Sequence, residues 1–192
     1  MKKLSLMMMV AVAAFSFQAC NGSKDSKETA DSVNSAKDTS NAVAAGIAVD
    51  ESDAKFAVDA ANGGMAEVAL GKLAQTKATN AKVKEFADMM VMDHSKANDE
   101  LMALAKAKNI TLPDSVSTEK KKEMADLAKK SGKDFDKAYV DAMVDGHKKT
   151  VSLFEDASKN AKDADIKAFA TKTLPTLNAH LEHINAIHDS MK

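Results

Sequence analysis

The feature that most constrains this chain is an apolar repeat of helical period that continues from about residue 52 to residue 190. Apolar residues recur every three or four positions in four long stretches, which indicates amphipathic helices rather than strands. The 192 residues include only 7 glycines and 2 prolines, too few for the frequent turns of a β-sandwich. The sequence therefore predicts an all-α fold.

The lengths of the connections predict how these helices are arranged. Short connections within the first and second pairs require two antiparallel hairpins, whereas the middle connection is long and includes a short helix near residues 117–130. Two hairpins joined by one long crossover form a ferritin-like four-helix bundle, here with a long B–C crossover carrying a short extra helix. The predicted helices A to D span about residues 53–77, 81–108, 134–159 and 163–190, within a domain at 53–192.

The N-terminus has the pattern of an export signal. Two lysines precede the apolar run Leu4–Phe17, which is shorter than the roughly 20 residues of a membrane-spanning helix. The chain's single cysteine, Cys20, follows this run and has no partner for an internal disulfide. This pattern is typical of a bacterial lipoprotein, with a signal peptide at residues 1–19 and a lipid on Cys20. The alternative is an ordinary signal peptide with an incidental cysteine.

The segment after Cys20 is polar and low in large apolar side chains, so residues 20–52 are predicted to be the lipidated cysteine and a flexible tether. The lipid would anchor the protein in the cell envelope, in the outer rather than the inner membrane, with the domain in the periplasm or at the cell surface. A nucleic-acid partner is excluded, because the net charge is −1 and every basic residue is lysine. A protein partner or a small ligand is left open.

Each predicted long helix places one polar residue on or beside its apolar stripe. These residues are Glu67, His94, His147 and His180. A buried carboxylate is costly unless it is paired or bound to a metal. The four therefore predict either a site for one iron, zinc, copper or manganese ion, or a hydrogen-bonded network that fixes the helix register.

Two further patterns bear on the kind of metal. A ferritin-type di-iron site requires a Glu-x-x-His motif, and no histidine here follows an acidic residue by three positions, so di-iron chemistry is disfavoured. Met90 and Met143 each lie four residues before a histidine, on the same helix face. Their thioethers are candidate soft ligands for Cu(I), or else flexible core fillers.

Four motifs lie at corresponding positions of the predicted helices. They are Gly-Gly-Met-Ala-Glu-Val at 63–68, Met-Val-Met-Asp-His at 90–94, Met-Val-x-x-His at 143–147 and Leu-Pro-x-Leu-x-x-His at 174–180. With Phe86, Phe135 and Tyr139, these motifs resemble the ferritin-like bacterial exported-protein family "domain of unknown function 4142". The resemblance implies a four-helix bundle in the cell envelope and implies no reaction.

The sequence contains no nucleophile elbow, no glycine-rich phosphate loop and no cysteine-based zinc motif, so no catalytic residue is assigned. We therefore expect a binding, structural or stress-related module rather than an enzyme. The alternative is a metal-binding or metal-dependent redox protein that uses the central Glu/His cluster.

Overall fold

The structure, a computed structural model, describes residues 25–39 and 50–192, and all regular secondary structure in these ranges is helical. This confirms the all-α class. The helices are α1 Ser26–Thr39, α2 Glu51–Lys77, α3 Ala81–Ala107, α4 Thr118–Ala128, α5 Gly132–Asn160 and α6 Ala164–Ser190. Across the described ranges, no helix has an apolar stretch long enough to cross a bilayer. The predicted signal peptide and Cys20 lie outside the described residues.

Polar side-chain caps define where three of the four long helices begin. The side chains of Asp50, Asn80 and Asp163 each accept a hydrogen bond from a backbone N–H in the first turn of α2, α3 and α6. Such caps satisfy donors that have no partner within the helix. Two buried aspartates then connect the hairpins: Asp53 accepts from the backbone of the α5–α6 turn, and Asp136 accepts from the backbone of the α2–α3 turn.

The four long helices pack as two hairpins, α2 with α3 and α5 with α6, and α2 also contacts α5 while α3 contacts α6. Near the start of α2, Phe56 packs edge-on against Phe154, and at its end Lys77 lies over the ring of Phe135. Helices α2 and α5 are therefore antiparallel. Since α2 is also antiparallel to α3, helices α3 and α5 run in the same direction, as the long crossover predicts.

Two apolar layers lie along the length of these helices, and the polar cluster lies between them. One layer contains Phe56, Leu101, Phe154 and Phe169, and the other contains Leu70, Phe86, Met90, Tyr139 and Met143. On each long helix, the polar residue singled out in the sequence falls between the positions that contribute to the two layers. The fold thus brings one polar residue from each helix to the same level.

The prediction of a flexible tether was wrong for Ser26–Thr39, which form α1 and pack against α2. Helix α1 docks through polar contacts: Asn34 exchanges two hydrogen bonds with the backbone of Thr111, and Lys27 pairs with Asp59 at 2.9 Å. The buried residues of α1 are Ala30 and Asn34, which are small or polar, so α1 lacks the stripe of large apolar residues by which the long helices are recognised. The rest of the predicted tether, apart from residues 25 and 50–52, lies outside the described residues.

Candidate metal centre

His147 on α5 has its two ring nitrogens in different surroundings. Nδ1 lies 2.9 Å from the backbone carbonyl oxygen of Met143, one turn earlier on the same helix. A carbonyl oxygen can only accept, so Nδ1 carries the proton and Nε2 of the neutral ring carries the lone pair. That Nε2 atom is buried and has no hydrogen-bond partner among the described residues.

His180 on α6 is held from the outside by a carboxylate of α3. Its Nε2 lies 2.9 Å from Oδ2 of Asp93, whose side chain is 29% exposed. The carboxylate accepts, so Nε2 donates and Nδ1 carries the lone pair. Nδ1 is buried, and no described group forms a hydrogen bond with it.

His94 on α3 faces Glu67 on α2. Nδ1 of His94 lies 3.0 Å from Oε2 of Glu67, although the alignment is not that of a hydrogen bond. The other oxygen, Oε1, lies 3.9 Å from Nδ1 of His147 and accepts a hydrogen bond from Thr150 at 3.4 Å. Nε2 of His94 is buried and lacks a hydrogen-bond partner in the described part of the chain.

The three histidines, which we call the histidine triad, converge in the interior. Their ring centroids lie 5.3–5.7 Å apart, and one nitrogen from each ring lies within 4.8 Å of the other two. His94, His147 and His180 are 5%, 0% and 2% exposed. The buried histidine triad can therefore offer a metal ion three nitrogen ligands from three helices.

Burial sets the charge of these groups. It lowers the pKa of His94 to about 4 and also lowers the pKa values of His147 and His180, because the charged imidazolium loses its hydration. Burial raises the pKa of Glu67, an effect that the nearby His147 opposes. At neutral pH the triad is therefore neutral, and a neutral imidazole is the form that binds a metal.

Glycines allow α3 to approach α2 beside Glu67. A Cβ atom on Gly71 would lie 2.9 Å from Cγ2 of Val91 and 3.1 Å from the carbonyl oxygen of Ala87. A Cβ atom on Gly64 would collide with the side-chain amide of Asn98. Gly71, one turn after Glu67, needs glycine because the backbone of α3 lies close to it, whereas the side chain of Asn98 could move away from a Cβ atom on Gly64.

The structure brings together all four residues that the sequence predicts for the site, but Glu67 contacts the outer nitrogens rather than the unpartnered ones. Met90 and Met143 are buried in an apolar layer, and their role as soft ligands stays a prediction. Sequence reasoning missed Asp93, which binds His180. The signal was its position next to His94, on the edge of the apolar stripe.

This arrangement fits a transition-metal ion. Histidines that bind metals almost always donate their second nitrogen to a carboxylate or a backbone carbonyl, which fixes the tautomer and the ring orientation. Here His180 donates to the carboxylate of Asp93 and His147 donates to the carbonyl of Met143, while a carboxyl oxygen of Glu67 lies 3.0 Å from Nδ1 of His94. Three imidazoles suit zinc, copper, iron or nickel better than magnesium or calcium.

Two solved structures share this fold. The crystal structure of a DUF305 fragment from Deinococcus radiodurans has a TM-score of 0.66 and 11% identity, covering 74% of this chain and 98% of that chain. The structure of CopM in the Cu(II)-bound form has a TM-score of 0.62 and 13% identity, covering 73% of this chain and 97% of that chain. At these identities the likeness shows the fold alone. A search of curated proteins finds no match.

The motifs of the long helices predict a family, and a comparison with family sequence models confirms it. The match begins at residue 38, near the end of α1, and ends at residue 187 in α6, so it includes all three histidines of the triad. The chain belongs to the family described as "Domain of unknown function (DUF4142)".

Proposed function

We propose that this protein binds one transition-metal ion through Nε2 of His94, Nε2 of His147 and Nδ1 of His180. The observation that carries the proposal is the division of roles within each ring: one nitrogen faces an oxygen atom, and the other is buried without a partner in the described residues. A network that only fixed the helix register would pair these inner nitrogens with other groups, since leaving them unpaired costs free energy.

Copper(II) is the first candidate ion and zinc the second. Three imidazoles form a borderline ligand set, and for such a set copper(II) binds more tightly than the other divalent ions of the first transition row. The fold is compatible with a copper site, since a protein of the same fold has been solved in a Cu(II)-bound form. The argument for this chain rests on its own histidines.

The role we propose is metal binding in the cell envelope. The sequence pattern at Cys20 supports a lipid anchor, which would hold the domain at a membrane surface. Three protein ligands leave a fourth position for water or another small ligand, as in many sites where zinc is exchanged or takes part in chemistry. We assign no reaction. Asp93 is the outer partner that orients the ring of His180, and Glu67 lies beside the outer nitrogens of His94 and His147.

A competition titration tests the proposal. Wild-type protein should bind about one Cu(II) ion per chain with an affinity that His147→Gln weakens at least 100-fold, because one of three ligands is lost. His183→Gln is the matched control, since His183 lies three residues after His180 on α6 but is exposed. Its affinity should stay within threefold of wild type. Absence of stoichiometric binding, or equal loss in both variants, would contradict the proposal.

A further inference from the structure

A surface pocket lies at the seam where α3 meets α6, close to the triad. It has a volume of about 120 Å³ and is lined by Asp93, Lys96, Ala97, Glu100, Lys172, Thr173 and Thr176. Asp93 connects this pocket to the histidine triad, because it lines the pocket and also accepts a hydrogen bond from Nε2 of His180 at 2.9 Å. A cation in the pocket would thus be within reach of a carboxylate that already touches the triad.

A second, inner cavity of about 20 Å³ lies next to Glu67 and His94. A cavity needs roughly 10–15 Å³ of such space to hold a water molecule, so this one can hold a single water. Polar groups in its wall come from Glu67, His94, Asn98, Thr150 and Thr173, and the rest of the wall is apolar. Glu67 is one of the lining residues, and its Oε2 atom has no hydrogen-bond donor among the described residues, so a water molecule here could donate to it.

The surface pocket and the inner cavity share two lining residues, Ala97 on α3 and Thr173 on α6. Both are small and half-buried. The hydroxyl of Thr173 donates to the carbonyl of Phe169 on its own helix, so it does not tie α6 to α3. Among the described residues, only these two belong to both walls, so the two spaces meet at Ala97 and Thr173.

We infer that metal ions and water reach the histidine triad through this α3–α6 seam, from the surface pocket past Ala97 and Thr173, with Asp93 as the first carboxylate on the route. The inference deepens the proposed function and rests on it. The apolar layers above and below the triad are packed with large side chains such as Phe86 and Phe154, which favours a lateral route over one along the helix axes. An entry path is one of the features that a buried metal site requires.

The test is the rate of Cu(II) uptake by the metal-free full chain. Tyr139 is the only tyrosine and there is no tryptophan, so quenching of tyrosine fluorescence in a stopped-flow instrument reports arrival of Cu(II) in the interior. Ala97→Leu fills the shared wall and should slow uptake at least 10-fold. Thr173→Ala widens it and should not slow uptake. Ala103→Leu places the same substitution at an exposed position of α3 and should match wild type.

Equilibrium affinity separates this inference from the proposed function. The three variants keep all the ligands, so their affinities should stay within threefold of wild type while the rates differ. Equal uptake rates in Ala97→Leu and Ala103→Leu would overturn the route. If Ala97→Leu does not fold, slower uptake by Thr173→Ala overturns it, and faster uptake supports it. Wild-type protein that binds no Cu(II) would overturn the proposed function itself.

Discussion

At the residue scale, the outer neighbour of each histidine decides which nitrogen is available to a metal. Asp93 has this role for His180. Asp93→Asn keeps the shape but replaces an acceptor-only carboxylate with an amide, so we expect Cu(II) affinity to fall about 10–100-fold, the usual effect of losing such a partner. Glu100→Gln removes another acid of the same surface pocket, one bound to Lys172, and should leave affinity within threefold in the competition titration.

The titration of the triad predicts how the stability of the metal-free protein depends on pH. The unfolded histidines titrate near 6.5, whereas burial lowers the pKa of His94 to about 4 and lowers those of His147 and His180. Between these values the unfolded chain binds more protons, so the free energy of unfolding should rise with pH from about 4 to 6.5. A tenfold change in the proton affinity of one group corresponds to about 1.4 kcal/mol, so His94 should contribute at least about 1.4 kcal/mol to this rise, and His147 and His180 add to it in the same direction.

Urea unfolding of metal-free protein at several pH values measures this dependence. His94→Gln should flatten the rise, whereas His183→Gln should keep it. Glu67 acts with the opposite sign, because its raised pKa gives stability that is present below pH 4.5 and is lost as pH increases. Glu67→Gln should therefore steepen the rise. A His94→Gln profile with the wild-type slope would contradict this account of the buried triad.

At the element scale, the close approach of α2 and α3 depends on one glycine more than on its neighbours. Gly71→Ala would force a Cβ atom to within 2.9 Å of Val91 and should cost about 1–3 kcal/mol of stability. Gly63→Ala is the matched control, since no atom lies within 4 Å of its Cβ position. It should stabilise the protein by up to about 1 kcal/mol, because alanine favours helix more than glycine does. Equal midpoints in urea unfolding would contradict the packing described.

The helices also show how much of the fold and of the site the sequence could predict. The four long helices were predicted to within two residues at each end, because apolar period and polar caps such as Asn80 act locally. Helix α1 was missed because it docks through side chains such as Asn34, whose partner Thr111 is distant in sequence. The convergence of Glu67 with the three histidines could be predicted because each residue lies on or beside the apolar face of its helix. Which ring nitrogen of each histidine faces its outer neighbour depends on the side-chain rotamers and on the register between neighbouring helices. The apolar pattern of a single helix does not contain that information.

At the scale of the whole molecule, the predicted lipid anchor and the proposed metal site are separate features and can be tested separately. The anchor depends on Cys20, which lies outside the described residues, so it stays a prediction from sequence. Cells that express the protein should incorporate labelled fatty acid into it, and Cys20→Ala should abolish the labelling and release the domain into the soluble fraction. Because the domain lies far from Cys20 in sequence, the variant should still bind Cu(II). Labelling that persists in Cys20→Ala would exclude the lipoprotein interpretation.

The most direct measurement for the central claim is X-ray absorption spectroscopy of the Cu(II)-loaded protein, because it identifies the atoms bound to the ion. The account predicts three imidazole ligands at about 2.0 Å, as is usual for nitrogen bound to such metals, and no sulfur at bonding distance in the Cu(II) state. His147→Gln should reduce the imidazole count to two or abolish loading. A site with one imidazole or none, or a wild-type spectrum that His147→Gln leaves unchanged, would show that the ion binds elsewhere and would contradict the claim.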